Sequence, residues 1–158
     1  MFREMIRKNK ALTREECAQI LLEERRGVLS VSGDEGYPYG VPMNHYYNEE
    51  DGCIYFHQGK VGHRLDSVRA NDKVSFTVID KGASEENSWV KTFRSVIAFG
   101  RIEVIDDLET IVEMATKLSY KFTSDKAYIE GEIARFAKAT LLLKLKIEHL
   151  TGKWVREE

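Results

Sequence analysis

The segment YFHQGKVGHRLDSVRAN, Tyr55 to Asn71, passes from a strand end through a glycine-bearing turn into the first turns of a helix. Lys60, His63 and Arg64 all fall at that turn, between and just after Gly59 and Gly62. Free backbone N–H groups at a helix start, joined by cationic side chains, make a site for a phosphate or another small dianion. Arg64 can grip such a group through two parallel bonds, and Lys60 adds a mobile point charge. A solvated basic turn beside a helix would show the same residues. If the anion site is real, the rest of the chain should be a β-barrel that holds a phosphate-bearing ligand against it.

Upstream of this turn the pattern is that of a meander. Cys53 to His57 is a strand, preceded by the polar turn Asn48 to Gly52. Before it, Tyr37 to Tyr47 reads as a longer strand interrupted by Pro38 and Pro42. Each proline removes a ladder hydrogen bond, so this strand is expected to be bulged or at an edge near Pro42. The residues Val41-Pro42-Met43-Asn44, followed by His45, Tyr46 and Tyr47, therefore leave backbone groups free for a planar heterocycle; an edge strand merely blunted by proline is the alternative. Val28 to Ser32 is a further strand, closed by the turn Gly33 to Gly36. The chain's first helix begins at a capping box, Thr13 with Glu16, and carries Cys17, Ile20 and Leu21. It is expected to run to Arg25 or Arg26 and to stop at Gly27.

Downstream, the helix after the turn ends near Ala70–Asn71, and Lys73 to Asp80 alternates with Val74, Phe76 and Val78 on one face. Lys81 to Val90 reads as a polar loop. Phe93 to Asp106 is the longest strand, with Gly100 marking a bend or bulge. Asp107 caps a helix bearing Leu108, Ile111, Val112, Ala115 and Leu118, and a second helix spans about Lys126 to Ala137 with Ile129, Ile133 and Phe136 inward. The last strand, Thr140 to His149, places Leu141, Leu143, Leu145 and Ile147 opposite Lys144, Lys146 and Glu148, and LTGKWV follows as a tail. Most strands are joined by turns, so the expected fold is α+β: a six-stranded, mainly antiparallel split β-barrel with peripheral helices. We read residues 1–158 as one domain, with 1–11 as an N-terminal extension.

Composition narrows the function classes. A net charge of −2 argues against nucleic acid as the main partner, because duplex binding calls for a basic excess. No apolar run approaches the roughly 18–20 residues of a membrane span, and the N-terminus lacks the apolar core of a signal peptide. The two cysteines, Cys17 and Cys53, have no CxxC or CxxH spacing and suit buried thiols in a reducing cytoplasm. His45, His57 and His63 are close in sequence, yet their spacing is not that of a metal-binding element. No GxGxxG follows a strand, and neither GxxxxGK[ST] nor GxSxG occurs.

Four co-linear blocks, GYPYGVPMNHYY, GCIYFHQGKVGHRLDSVRANDKVSFTV, FRSVIAFGRIEVI and LTGKW, resemble the pyridoxamine 5′-phosphate oxidase-like split-barrel flavoproteins. The likeness covers about Leu12 to Trp154 and is nearest to the nitroimidazole-resistance, nitroreductase-like branch. It implies a homodimer with FMN at the subunit interface. It also implies that Lys60, His63 and Arg64 grip the FMN phosphate and that Val41, Pro42, Met43 and Asn44 lie along the isoalloxazine ring. Phe56 and His57 match the strand end beside the ring and ribityl chain, where His57 could face the flavin as a proton donor or a wall; a strand-end histidine that only packs or bonds the phosphate is the alternative. Ser95 matches a polar position that is commonly Gln in the oxidases. Lys153 and Trp154 match the tail that approaches from the partner subunit. The oxidases' Arg-x-His near the C-terminus is missing from TGKWVREE, so oxidation of pyridoxamine phosphate is not implied. The resulting expectation is an FMN-dependent oxidoreductase that passes electrons from a nicotinamide donor to a small acceptor such as a nitroaromatic or quinone. A non-catalytic FMN store or sensor, and the same barrel holding deazaflavin or haem, are the alternatives.

Overall fold

The computed structural model describes residues 1–157. Its elements, in chain order, are α1 (Arg14–Glu23), β1 (Arg26–Ser32), β2 (Pro38–Asn44), β3 (Tyr46–Asn48), β4 (Cys53–Gly59), α2 (His63–Ala70), β5 (Lys73–Ile79), β6 (Ala83–Ser84), β7 (Lys91–Ile105), α3 (Leu108–Ser119), α4 (Lys126–Phe136) and β8 (Thr140–Glu157). The strands form one antiparallel sheet in the order β2-β1-β5-β7-β8-β4-β3, with β6 added to β7. β2 and β3 stand at opposite ends of that order, yet only His45 separates them in the chain. The sheet must therefore curl until its two edges meet beside His45. That is a split barrel, and no helix among the described residues is long and apolar enough to cross a membrane.

Alternation along the strands builds the core. Leu29, Ile54, Phe56, Phe76, Leu143 and Leu145 point inside and are fully buried, and Phe56 meets Phe76 edge-on with centroids 4.9 Å apart. Cys17, Ile20 and Leu21 bring α1 onto this cluster. The opposite face of β4 and β8 carries Cys53, Tyr55 and Leu142 into a smaller cluster with Ile111 and Met114 of α3 and the nearby Ala137.

Several expectations are corrected by this arrangement. α1 ends at Glu23 rather than at Arg25 or Arg26, and Glu24 is already extended. Its last carbonyls are bound from afar: Lys121 Nζ donates to the carbonyls of Glu24 (2.5 Å), Leu21 (3.4 Å) and His45 (2.9 Å), which replaces a glycine cap. Gly27 belongs to β1, where a Cβ would run into the Phe76 ring and the Thr77 carbonyl. The expected Tyr37–Tyr47 strand is divided at His45, Lys81–Val90 contains β6, and the LTGKWV tail is part of β8, paired with β7 to its end. Together these give eight strands instead of six. Pro42 does lie in an edge strand, and the β7–β8 register does shift between Phe99 and Gly100. On α3, Met114 takes the buried place expected of Val112, and Leu108 and Val112 are exposed, because only one flank of the helix meets the sheet. Phe136 of α4 is likewise exposed rather than inward.

Candidate functional site

The end of β4, the following turn and the start of α2 stand beside the edge strand β2. Gly62 holds the turn at φ 128°, a conformation side chains disfavour, and supplies no side-chain cap to α2. The first N–H groups of α2 are thus left for an external acceptor. Between these elements lies a groove of about 380 Å³ lined by Arg26, Pro42, Met43, Asn44, His57 and Arg64. Five of these six were expected from the sequence.

Gln58 and Arg26 were not expected, and both shape the groove. Gln58, buried, accepts from Arg64 Nε at 2.5 Å and donates to the Gly59 carbonyl at 2.9 Å, so it aims the guanidinium. Arg26 Nε donates to Asn44 Oδ1 at 2.8 Å across the β1–β2 register. No linear signal marks Arg26, because it lies far from Arg64 in the chain and only strand pairing brings it in. Partial desolvation, then the Arg64 charge, lowers the pKa of His57 and favours its neutral imidazole.

The other cationic residues of the turn point elsewhere. Lys60 faces Asp106, 3.9 Å away, and His63 stacks on Tyr39 (4.4 Å between centroids) with its Nε2 3.5 Å from Asp34. Arg64 alone of the three lines the groove. The Phe56 side chain is in the barrel core and can offer the site only its backbone. The half-buried Val41 neighbours the groove on β2, and Met43 turns its side chain into the core cluster. Ser95 and Lys153 pair with each other on β7 and β8 and line a separate hollow of about 250 Å³ beneath Arg3 and Met5. Trp154, next along β8, has Lys10 over its ring at 5.0 Å. Within a single chain, then, Ser95, Lys153 and Trp154 do not join the Arg64 groove.

The three neighbouring histidines are also dispersed. His45 is fully buried where the barrel edges meet, its Nε2 donating to the Leu21 carbonyl at 2.8 Å. Burial, with the Lys121 charge beside it, pushes its pKa down to about 3. A hollow of about 620 Å³ lies against Met1, Phe2 and strands β1, β5 and β7. Its Arg101 is already tied to Asp72 and Glu148.

An antiparallel split barrel with an uncapped strand–turn–helix at its open edge defines the class of this protein. The chain belongs to the pyridoxamine 5′-phosphate oxidase family, whose sequence model matches residues 13–154. No curated protein matches the sequence. Among solved structures, a proposed 5-nitroimidazole antibiotic resistance protein from Bacteroides thetaiotaomicron is similar (21% identity, TM-score 0.74, 94% of this chain and 90% of that one). So is an FAD-binding protein from Mesorhizobium loti (24%, 0.66, 92% and 97%). The flavocytochrome Anf3 from Azotobacter vinelandii is a third (21%, 0.75, 99% and 73%). These likenesses agree with the split-barrel fold.

Proposed function

We propose that this protein is a homodimeric, FMN-dependent oxidoreductase of the cytoplasm that takes electrons from a nicotinamide donor and gives them to a small organic acceptor. The observation that carries the reading is the groove itself. An edge strand with unpaired backbone groups, an uncapped helix start and a half-buried guanidinium converge on it. That donor set fits one phosphate with an attached planar ring. Family membership and the flavin named for the Mesorhizobium relative point the same way. Because that relative is named for FAD, FAD is the second reading.

Arg64 and the α2 N–H groups would hold the phosphate, with Gln58 keeping the guanidinium in place. Backbone groups of Val41 to Asn44 would fix the ring. Neutral His57 sits where it can hold a proton at a ring nitrogen beside the groove. The partner subunit's Ser95, Lys153 and Trp154 would close the site, and the exposed apolar Val28, Ile79 and Phe99 suit an exterior that pairs with a second copy. A bound flavin supplies the hydride and electron transfer, which is why the chain itself needs no acid–base dyad.

Purified protein should be yellow and release FMN on denaturation; colourless protein that takes up no added FMN refutes the reading, and release of FAD selects the second. Arg64→Ala should weaken FMN binding about 10- to 150-fold, since a charged hydrogen bond contributes roughly 1.5–3 kcal/mol. Lys60→Ala should matter less, because Lys60 faces Asp106. Sedimentation of the flavin-loaded protein as a monomer at micromolar concentration would remove the dimer.

A further inference from the structure

A second cleft, of about 380 Å³, lies between the end of β4 and the helices α3 and α4. Its volume is within the range of small-molecule sites. The walls are apolar: Ile111, Ala115 and Leu118 from α3, with Ile133 and Phe136 from α4. Phe136 remains exposed, although Ile111, Ala115, Leu118 and Ile133 beside it on the cleft are at least partly covered. Glu132 is the one charged side chain in the lining; Arg135 stacks over the Phe136 ring at 4.9 Å without lining the cleft.

The cleft and the groove proposed to hold flavin share one lining residue, His57. Along β4, Cys53 and Tyr55 turn toward α3 and α4, and His57 continues that face. His57 lines both spaces. A ligand in the cleft would therefore have one end at His57, the residue shared with the groove, and the remainder between two apolar helices. An apolar ring gains free energy from such walls in proportion to the area it buries, whereas an anion would meet Glu132 and no lining cation.

We propose that this cleft binds the oxidising substrate, a neutral planar aromatic acceptor, with its ring between α3 and α4 and its reducible group at His57. The proposal rests on the flavoprotein reading. With a quinone as acceptor the balance is simple. A dihydronicotinamide donor gives up a hydride, and the quinone gains the hydride's proton and two electrons plus one proton from solvent, leaving oxidised nicotinamide and hydroquinone.

The test is a methyl NMR titration of the FMN-loaded protein with 2-methyl-1,4-naphthoquinone. Shifts should concentrate on Ile111, Ala115, Leu118 and Ile133. Ala115→Phe, which fills the cleft, should weaken naphthoquinone binding tenfold or more with FMN affinity unchanged. The sulfonated analogue, 1,4-naphthoquinone-2-sulfonate, should bind at least tenfold more weakly than the neutral ring. Glu132→Lys, a change on the cleft's polar rim, should narrow that gap. Loaded protein whose cleft methyls do not respond, or in which neither variant alters binding, overturns the cleft and leaves the flavin reading intact. Protein that takes up no FMN, whatever the naphthoquinone does, overturns the flavin reading and with it the cleft's redox role.

Discussion

On its inner face the β4–β8 pair places Ile54, Phe56, Leu143 and Leu145 in the barrel, where each is 0% exposed. On its outer face Cys53, Tyr55 and Leu142 meet Ile111, Met114 and Ala137, and the packing opens at His57. The same two strands thus carry a sealed layer and an incomplete one. A sheet that curls on itself surrounds each inward side chain with neighbours from several strands. Two short helices laid on one flank touch only a few positions, and the space between them stays open. The sealed side therefore sets stability, and the open side has room for a ligand.

That contrast is broken most directly by comparing truncations on the two faces. Phe56→Ala should destabilise by about 3–5 kcal/mol, a core aromatic left as a cavity. Ile133→Ala, at the cleft, should lose only about 1 kcal/mol. Equal shifts in denaturant midpoint would mean that the helical layer is as well packed as the barrel. Next in size is Lys121→Met, which strips the carbonyls of Leu21, Glu24 and His45 of their ammonium donor. We expect a loss of about 1.5–3 kcal/mol by the same measurement. An unchanged midpoint would show that solvent can serve those carbonyls, and that the seam is less sealed than the core.

The seam also predicts a pH dependence. Folded His45 is held down to about 3 by burial, then by Lys121, against its ordinary value of 6.5. Between those values the unfolded chain binds more protons than the folded one. Stability should thus be unaffected by His45 above pH 6.5 and fall as the pH drops below it, by up to about 1.4 kcal/mol per unit. His45→Gln keeps a donor for the Leu21 carbonyl and should flatten this slope in urea titrations between pH 6.5 and 4. The smallest effect sits on the outer face. Tyr55→Phe removes the hydroxyl that donates to Asp51 at 2.6 Å and should lose about 1 kcal/mol, read as a lower melting temperature. A larger loss would make the outer polar contacts more important to stability than the helices themselves.

How much could be read in advance follows from the range of each interaction. The strand–turn–helix at Tyr55–Asn71 was legible because its signals, alternating residues, glycines and then Leu65 and Val68, are local. The Thr13–Glu16 capping box and the Asp107 cap were legible for the same reason. The end of α1 was not, because the group that satisfies it, Lys121, comes from beyond α3. The basic cluster Lys60, His63 and Arg64 reads as one site in the chain. In space, Asp106 and Tyr39 draw Lys60 and His63 away from Arg64.

The sequence by itself therefore determined the helices, the main strands, their order and the antiparallel class, though not β6 or the break at His45, since strand and helix identity follow from residue spacing over a few positions. Only the tertiary structure decided that β2 and β3 meet at His45, that Arg26, Asn44, His57 and Arg64 share one groove, and that a cleft opens beside it. Register, closure of the sheet and the seating of α3 and α4 are set by contacts between distant residues. No spacing within one element encodes them.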